Sequence, residues 1–93
     1  MYIVIKKFRT DAIEKTIENA RTAFLPVVSK MPGFVDYHVI KSGDDTVVSV
    51  LLFNSKEEAD ASIVASREFV KENGVESLYQ LQELIAGEVV VKG

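Results

Sequence analysis

The apolar positions change period from one segment to the next, and each period predicts an element. Residues 2–8 form a short run rich in β-branched side chains, which favours a strand. Apolar residues then recur at intervals of three and four, which predicts one face of a helix: Ile13, Ile17, Ala20 and Phe24. Thr10-Asp11 would cap this helix, the proline of Leu25-Pro26 predicts a kink or restart, and Pro32-Gly33 would end it.

Two further strands are predicted as a hairpin. They are Phe34–Lys41 and Thr46–Phe53, and a two-residue Gly43-Asp44 loop between them would place His38 opposite Ser49. This register defines two faces. We expect the first to lie under the chain's own helices, because it is almost wholly apolar: Val35, Tyr37, Val39, Val48, Val50 and Leu52. The second is mixed: Phe34, Asp36, His38, Ile40, Val47, Ser49, Leu51 and Phe53.

The second face holds five large apolar side chains, too many to leave to water. Helices cover one face of such a sheet, so the other needs a different cover. We therefore expect a homodimer, in which a second copy of the chain covers this face.

A second helix is predicted from the capping box of Ser55 and Glu58 to Asn73-Gly74, where glycine accepts the left-handed conformation. Its buried stripe would be Ala59, Ser62, Ile63, Ser66, Phe69 and Val70. One or two further helical turns are expected around Val75, Leu78 and Leu81. A last strand within residues 83–92 would end in three valines, with Gly87 as a candidate bulge. The order β-α-β-β-α-β predicts an α+β ferredoxin-like fold, a four-stranded antiparallel sheet with helices on one face.

Composition narrows the possible functions. We expect residues 1–93 to form one domain. The net charge of −3 and the lack of a basic run argue against nucleic-acid binding, and Lys6-Lys7 is interpreted as a solvated edge. Without cysteine there is no disulfide and no thiolate chemistry, and one histidine with scattered carboxylates makes no metal site. No signal peptide and no membrane-spanning run is recognisable, so a cytoplasmic location is expected.

Several segments together resemble the antibiotic biosynthesis monooxygenase superfamily. They are Phe24-Leu-Pro-Val-Val-Ser-Lys-Met-Pro-Gly-Phe-Val-Asp-Tyr37, Asp45-Thr-Val-Val-Ser-Val-Leu-Leu-Phe53, Ser55-Lys-Glu-Glu-Ala59, Phe69-Val-Lys-Glu-Asn73 and Gly87-Glu-Val-Val-Val91. The resemblance covers essentially the whole chain and is strongest to short, single-domain members. It implies a dimeric α+β barrel with two sheets face to face, and a ligand cleft between the sheet and the helices of each subunit.

The resemblance also implies an activity class. Characterised relatives include cofactor-free oxygenases of phenols and quinone precursors, and haem-degrading monooxygenases. The haem-degrading relatives use a first-strand asparagine, a sheet tryptophan and a helical histidine. This chain has none of the three, so haem degradation is not expected and no cofactor is expected. The tryptophan of the cofactor-free oxygenases is also missing.

His38 is the candidate catalytic residue because it is the only side chain that ordinarily titrates near neutrality. It would act as a general base that removes a proton from an activated phenol. Alternatively it is structural and hydrogen-bonds Ser49 across the strands inside the dimer interface. Asp36, two residues away on the same face, would orient His38 or bind a cation of the partner chain.

Asp36 and Ser49, beside His38, are also candidates for substrate binding, and so are three further side chains. Tyr37 would hold a substrate oxygen on the helix side, or simply pack in the core. Arg67 would reach an anionic group of a ligand, or lie on a solvated helix face. Tyr79 would close the mouth of the cleft, or cap the core.

The sequence leaves three hypotheses of function. The first is a cofactor-independent monooxygenase-like homodimer that binds a small aromatic or quinone-like molecule. The second is a non-catalytic homodimeric module for ligand binding or stress response. The third is a dimer that serves only as a structural interaction unit.

Overall fold

The computed structural model describes all residues from Met1 to Gly93, and its elements follow the predicted order. The strands are β1 (Tyr2–Arg9), β2 (Phe34–Lys41), β3 (Thr46–Phe53) and β4 (Gln80–Glu88). The helices are α1 (Ile13–Asn19), α2 (Leu25–Val28) and α3 (Lys56–Glu72), and a π-helical turn, Ala20–Phe24, joins α1 to α2. The strands pair antiparallel in the order β2-β3-β1-β4. The ferredoxin-like prediction is confirmed.

The first helical segment breaks where Pro26 removes a backbone donor. The α-helix widens into the π turn before the proline and restarts at Leu25, so the predicted restart is confirmed. The predicted cap is wrong in detail, since the N-cap residue is Ala12. The Thr10 hydroxyl instead accepts a hydrogen bond from the Ala12 amide at 3.0 Å and donates one to the Leu78 carbonyl at 2.7 Å. Thr10 is thereby buried and ties the start of α1 to the segment before β4.

The second helix forms largely as predicted. The Glu58 amide donates to the Ser55 hydroxyl at 3.3 Å, and the Ser55 hydroxyl lies 2.9 Å from Glu58 Oε1. Gly74 follows the last turn with φ +63°, a conformation that glycine adopts without strain. The residues from Val75 to Leu78 form turns rather than a helix, and Leu81 lies in β4.

The predicted register of the hairpin is wrong along most of its length. Phe34 lies opposite Phe53 as predicted, but from there to the loop the partners shift by one residue, so His38 lies opposite Val50 and Ser49 lies opposite Val39. The Ser42 amide donates to the Thr46 carbonyl at 2.9 Å, so the loop has three residues instead of two. Val35 forms a bulge that absorbs the extra residue.

The shift changes which side of β3 is covered. Val47, Ser49, Leu51 and Phe53 face the helices and are buried. Val48, Val50 and Leu52, which we expected under the helices, lie on the outer face because a shift of one residue reverses a strand. On β2, Tyr37 and Val39 do face the helices as predicted, since they pair with Leu51 and Ser49.

The last strand lies earlier in the chain than predicted. β4 ends at Glu88, and residues 89–93 lie outside the sheet. Its bulge lies opposite Lys7 and Phe8, whose partners are Glu83 and Leu81, and not at Gly87.

The core lies between the sheet and the helices. Val4, Val28, Leu51, Phe53 and Ala59 form the fully buried cluster. The opposite, outer face of the sheet has no helix over it and is largely aliphatic: Ile3, Ile5, Ile40, Val48, Val50, Leu52 and Ile85. Ile40 and Ile85 are 48% and 52% exposed. No helix has both the length and the apolar character needed to cross a bilayer.

Candidate functional site

A cavity of about 490 Å³ lies between the helix-facing side of the sheet and the helices. Its walls are mainly apolar, and aromatic rings hold one another in edge-to-face contact around it. Phe24 is 5.5 Å from Tyr37 and 5.2 Å from Phe69, measured between ring centroids. Phe8 is 5.0 Å from Tyr79. Such pairs stabilise the walls and leave aromatic surface for a flat ligand.

Tyr37 and Tyr79 both line this cavity. Burial raises the pKa of both hydroxyls, and for Tyr37 the neighbouring Tyr79 adds to the effect. Both therefore stay protonated at neutral pH and can donate a hydrogen bond to an oxygen atom of a bound molecule.

Ser49 also lines the cavity, contrary to the prediction that it faces outward beside His38. It is only 7% exposed and lies on the cavity floor because β3 is shifted by one residue relative to the expected register. Its hydroxyl adds a polar group to an otherwise apolar stretch of sheet.

Lys6 is the cavity residue that sequence reasoning missed. It was interpreted with Lys7 as a solvated edge, yet it is 7% exposed and lines the cavity floor. Burial and, to a smaller extent, the positive charge of Arg67 together lower the pKa of the Lys6 ammonium to about 8. Alternation along β1 shows only that Val4, Lys6 and Phe8 share one face of the strand, and it does not show which face the helices cover.

Three more charged side chains border the cavity. They are Arg67, Lys71 and Glu76, and Arg67 is the residue that we predicted from the sequence to reach an anionic group of a ligand. Including Lys6, the wall carries three cationic side chains and one carboxylate, so its charge favours an anion.

His38 and Asp36 do not reach this cavity. They lie on the outer face of β2, where His38 Nε2 is 2.9 Å from Asp36 Oδ2 and both side chains are more than half exposed. The hydrogen bond from His38, and after it the Tyr37 amide, lowers the pKa of the Asp36 carboxyl. His38 would serve as a base only for a molecule bound on that outer face.

The molecule offers no obvious metal centre. No group of three or more His, Cys, Asp or Glu side chains is arranged to hold an ion.

Comparison with known proteins identifies the fold. No protein-family model matches the sequence. No curated protein matches it either. Among solved structures, SnoaB from Streptomyces nogalater, a cofactor-independent oxygenase, is 13% identical with a TM-score of 0.78, over 98% of this chain and 94% of SnoaB.

Two further structures are similar over nearly the whole chain. ActVA-Orf6 of Streptomyces coelicolor, a monooxygenase solved with the ligand nanaomycin D, is 18% identical with a TM-score of 0.71, over 98% of this chain and 92% of its own. A dimeric ferredoxin-like protein from an uncultured marine organism is 14% identical with a TM-score of 0.76, over 99% of this chain and 96% of its own. The structural neighbours thus include a cofactor-independent oxygenase, a monooxygenase and a protein of Chloroflexus aurantiacus that is described as an antibiotic biosynthesis monooxygenase. At these identities the likeness establishes the ferredoxin-like fold.

Proposed function

We propose that the protein is a cofactor-independent monooxygenase-like member of the antibiotic biosynthesis monooxygenase superfamily. Each subunit of a homodimer would bind a small aromatic or quinone-like molecule between sheet and helices. The observation that carries this proposal is the cavity itself. Its volume of about 490 Å³ falls within the range of ligand pockets in proteins, and its apolar, aromatic walls interrupted by a few polar groups suit a ring system that carries oxygen substituents.

The reaction we propose oxidises an activated ring carbon with molecular oxygen. A methylene beside a phenol loses two hydrogen atoms and becomes a carbonyl, one oxygen atom entering the ring carbon and the other leaving as water. Tyr37 and Tyr79 would donate hydrogen bonds to substrate oxygens, and Ser49 and Arg67 would position the ring system. The reactivity toward oxygen comes from the ionised substrate, which forms because the substrate is acidic. The protein would bind the substrate, exclude water and favour the ionised form of the substrate.

The dimer is proposed from the outer face of the sheet. That face exposes aliphatic side chains from all four strands, whereas monomeric soluble proteins rarely leave so large an apolar patch to water. A second copy, packed sheet to sheet, would cover it, and one structural neighbour is itself described as dimeric. His38 and Asp36 would then lie at this interface.

The alternative is a non-catalytic homodimer that binds a small molecule, for example in a stress response. One observation favours it. The only histidine lies outside the cavity, so the site lacks the commonest general base of enzymes.

Oxygen uptake separates these functions. A panel of hydroxyanthrone-like and hydroquinone substrates is tested with the wild type, with Tyr37→Phe and with His38→Ala. The two variants form a matched pair, because Tyr37 and His38 are adjacent in β2 and their side chains lie on opposite faces of the sheet. We expect uptake above the buffer rate with the wild type, roughly a tenfold loss in Tyr37→Phe from the missing hydrogen bond, and no loss in His38→Ala.

Native mass spectrometry of the purified protein completes the test. A copurified ligand without oxygen uptake on any substrate would establish the binding module and remove the oxygenase. Equal uptake in wild type and Tyr37→Phe, with a loss in His38→Ala, would place the chemistry on the outer face and contradict the cavity assignment.

A further inference from the structure

We propose that the cavity selects molecules that carry an acidic group, a carboxylate, a phenolate or an enolate, and that the ammonium of Lys6 binds this group. The inference deepens the function proposed above and rests on it, because it concerns the chemical class of the molecule that enters the same cavity.

The position of Lys6 in the sheet directs its side chain toward the cavity. Lys6 lies on β1, one of the two central strands, and its partners on either side are Ser49 and Leu84. Together with Val39 they form one row across the helix-facing side of the sheet. A charged head in the middle of such a row cannot bend around a sheet edge to reach bulk water.

Lys6 has no charged partner within the protein. The ion pairs of the molecule are Arg9–Asp45, Arg21–Glu18, Lys41–Glu14 and Lys56–Asp60, and Asp36 contacts His38. A buried ammonium without a counter-charge is costly, since burial removes part of its hydration and no carboxylate compensates the charge. Packing does not require a lysine here, because an aliphatic side chain would fill the same place, as Val4 does two residues earlier. A bound anion would compensate the charge.

The electrostatics of the wall point to the same class of ligand. Arg67 borders the cavity as a second cation without an ion-pair partner, and Lys71 and Glu76 border it as well. The lowered pKa of Lys6, about 8, still leaves the ammonium mostly charged at neutral pH, and an anion beside it would raise that pKa again.

Anion binding would also serve the proposed oxidation. A phenol or enol bound beside an ammonium ionises more readily than in water, because the opposite charge favours the ionised form. Lys6 would therefore hold the substrate in the form that reacts with oxygen, and it would act by binding, without forming a covalent bond.

A matched pair of probes tests the proposal. 2-Naphthoate and 2-naphthamide have nearly the same shape and differ in charge, and their dissociation constants are measured by titration calorimetry at pH 7. We expect the wild type to bind naphthoate at least about tenfold more tightly, the usual gain from a charge-assisted hydrogen bond. Lys6→Met should lose this preference and bind naphthamide unchanged. Lys7→Met, whose side chain lies on the other face of β1, should keep the preference.

The pH dependence identifies the group responsible. Naphthoate stays ionised from pH 6 to 9, and the raised pKa values of Tyr37 and Tyr79 keep both hydroxyls protonated in this range, so the naphthoate preference should fall as the pH rises above about 8. Lys6→Arg keeps its charge and should preserve the preference to higher pH. Arg67, Lys71 and Glu76 are unchanged in both variants, which separates their charges from that of Lys6.

Two outcomes would overturn the inference in different ways. If the wild type binds both probes equally, or Lys6→Met keeps the preference for naphthoate, the acidic class is wrong while the cavity remains a binding site. If neither probe binds to any variant, the proposed function of the cavity fails and the inference fails with it.

Discussion

Lys6 and Lys7 show how much depends on a single residue. They are adjacent and chemically identical, yet Lys6 lies buried under the helices and Lys7 lies exposed on the outer face. Alternation alone could not distinguish them, because each row of β1 carries one lysine beside apolar side chains, although Arg9 adds a second charge at the end of the Lys7 row. Tyr2, Val4 and Phe8 share the face of Lys6, while Ile3 and Ile5 share the face of Lys7. Only the packing of the helices decides which row is covered.

The burial of Lys6 predicts an unusual dependence of stability on pH. The folded pKa of about 8 lies below the ordinary value of 10.5, so between these values the unfolded chain binds more protons than the folded one. The free energy of unfolding should therefore rise with pH across this window, by up to about 1.4 kcal/mol for each unit of the difference in pKa. Lys6→Met has no such group, so its free energy of unfolding should exceed that of the wild type at pH 7. The difference between the two proteins should shrink as the pH approaches 10.

Urea denaturation of both proteins at pH 7 and pH 9.5 measures this gap. Tyrosine ionisation affects both chains alike and cancels in the difference. A gap that does not narrow at the higher pH would show that Lys6 is not desolvated.

Gly33 is the second residue whose environment predicts a measurable cost. Its φ is +76°, and a Cβ at this position would collide with the Glu58 carboxylate that completes the cap of α3. Gly33→Ala should lower the free energy of unfolding by about 2–3 kcal/mol. The left-handed conformation alone costs an alanine roughly 1–2 kcal/mol, and loss of the hydrogen bond between the Ser55 hydroxyl and the displaced Glu58 carboxylate adds to this cost. Gly74→Ala is the matched control, with φ +63° and open space around it, and should cost only about 1–2 kcal/mol.

Thermal or urea denaturation of both variants gives the difference. In a Glu58→Ala background, Gly33→Ala should cost no more than Gly74→Ala, because the colliding carboxylate is gone. An undiminished cost there would assign the whole effect to the backbone.

At the scale of the elements, the sequence predicted correctly those helix ends that depend on neighbouring residues. The cap at Ser55, the stop at Gly74 and the restart at Leu25 depend on residues within one or two turns, and all were foreseen. The hairpin register depends on where an extra residue is absorbed, in the loop or at a bulge, and alternation alone does not reveal this. Ser49 was therefore assigned to the wrong face, although Tyr37, Arg67 and Tyr79 could be proposed for the cleft from the resemblance and their positions.

Thr10 joins elements that are far apart in the chain. Its hydroxyl bonds the Leu78 carbonyl and the Ala12 amide and lies 2.9 Å from the Thr16 hydroxyl. Thr10→Val keeps the shape and should lower the free energy of unfolding by about 2 kcal/mol, because buried polar partners lose their hydrogen bonds. Thr22→Val is the control: the exposed Thr22 hydroxyl bonds only the Glu18 carbonyl, so the change should stay within about 0.5 kcal/mol.

Urea denaturation measures both variants. Because Tyr79 follows Leu78 directly and lines the cavity, Thr10→Val should also weaken naphthamide binding. Equal stability of Thr10→Val and Thr22→Val would show that Thr10 does not fasten α1 to the segment before β4.

At the scale of the whole molecule, the outer face decides the assembly. Val50 lies at its centre, on β3 between Ile5 and His38, so a charge there would be trapped between two sheets in the proposed dimer. Val50→Glu should convert the protein from twice the 10.3 kDa chain mass to the monomer mass in light scattering. Val64→Glu, on α3 and 55% exposed, should leave the dimer intact.

Circular dichroism of both variants checks that a change in mass does not come from unfolding. A wild type that scatters as a 10.3 kDa monomer at micromolar concentration would contradict the dimer outright.

The bulge at Val35 has a consequence for how this cavity acquires its chemistry. Phe34 packs on the core, and the one additional residue in β2 lets Tyr37 face the helices while His38 faces away. With the same residues and no bulge, regular alternation from Phe34 would turn Tyr37 outward and bring Asp36 and His38 inward together. Deletion of Val35 would remove the bulge but leave Tyr37 two residues after Phe34, so Tyr37 would still face the cavity. The phenol is exchanged for the imidazole–carboxylate pair only when the full-length strand pairs without its bulge. The hairpin holds two alternative sets of polar groups, and the bulge selects between them.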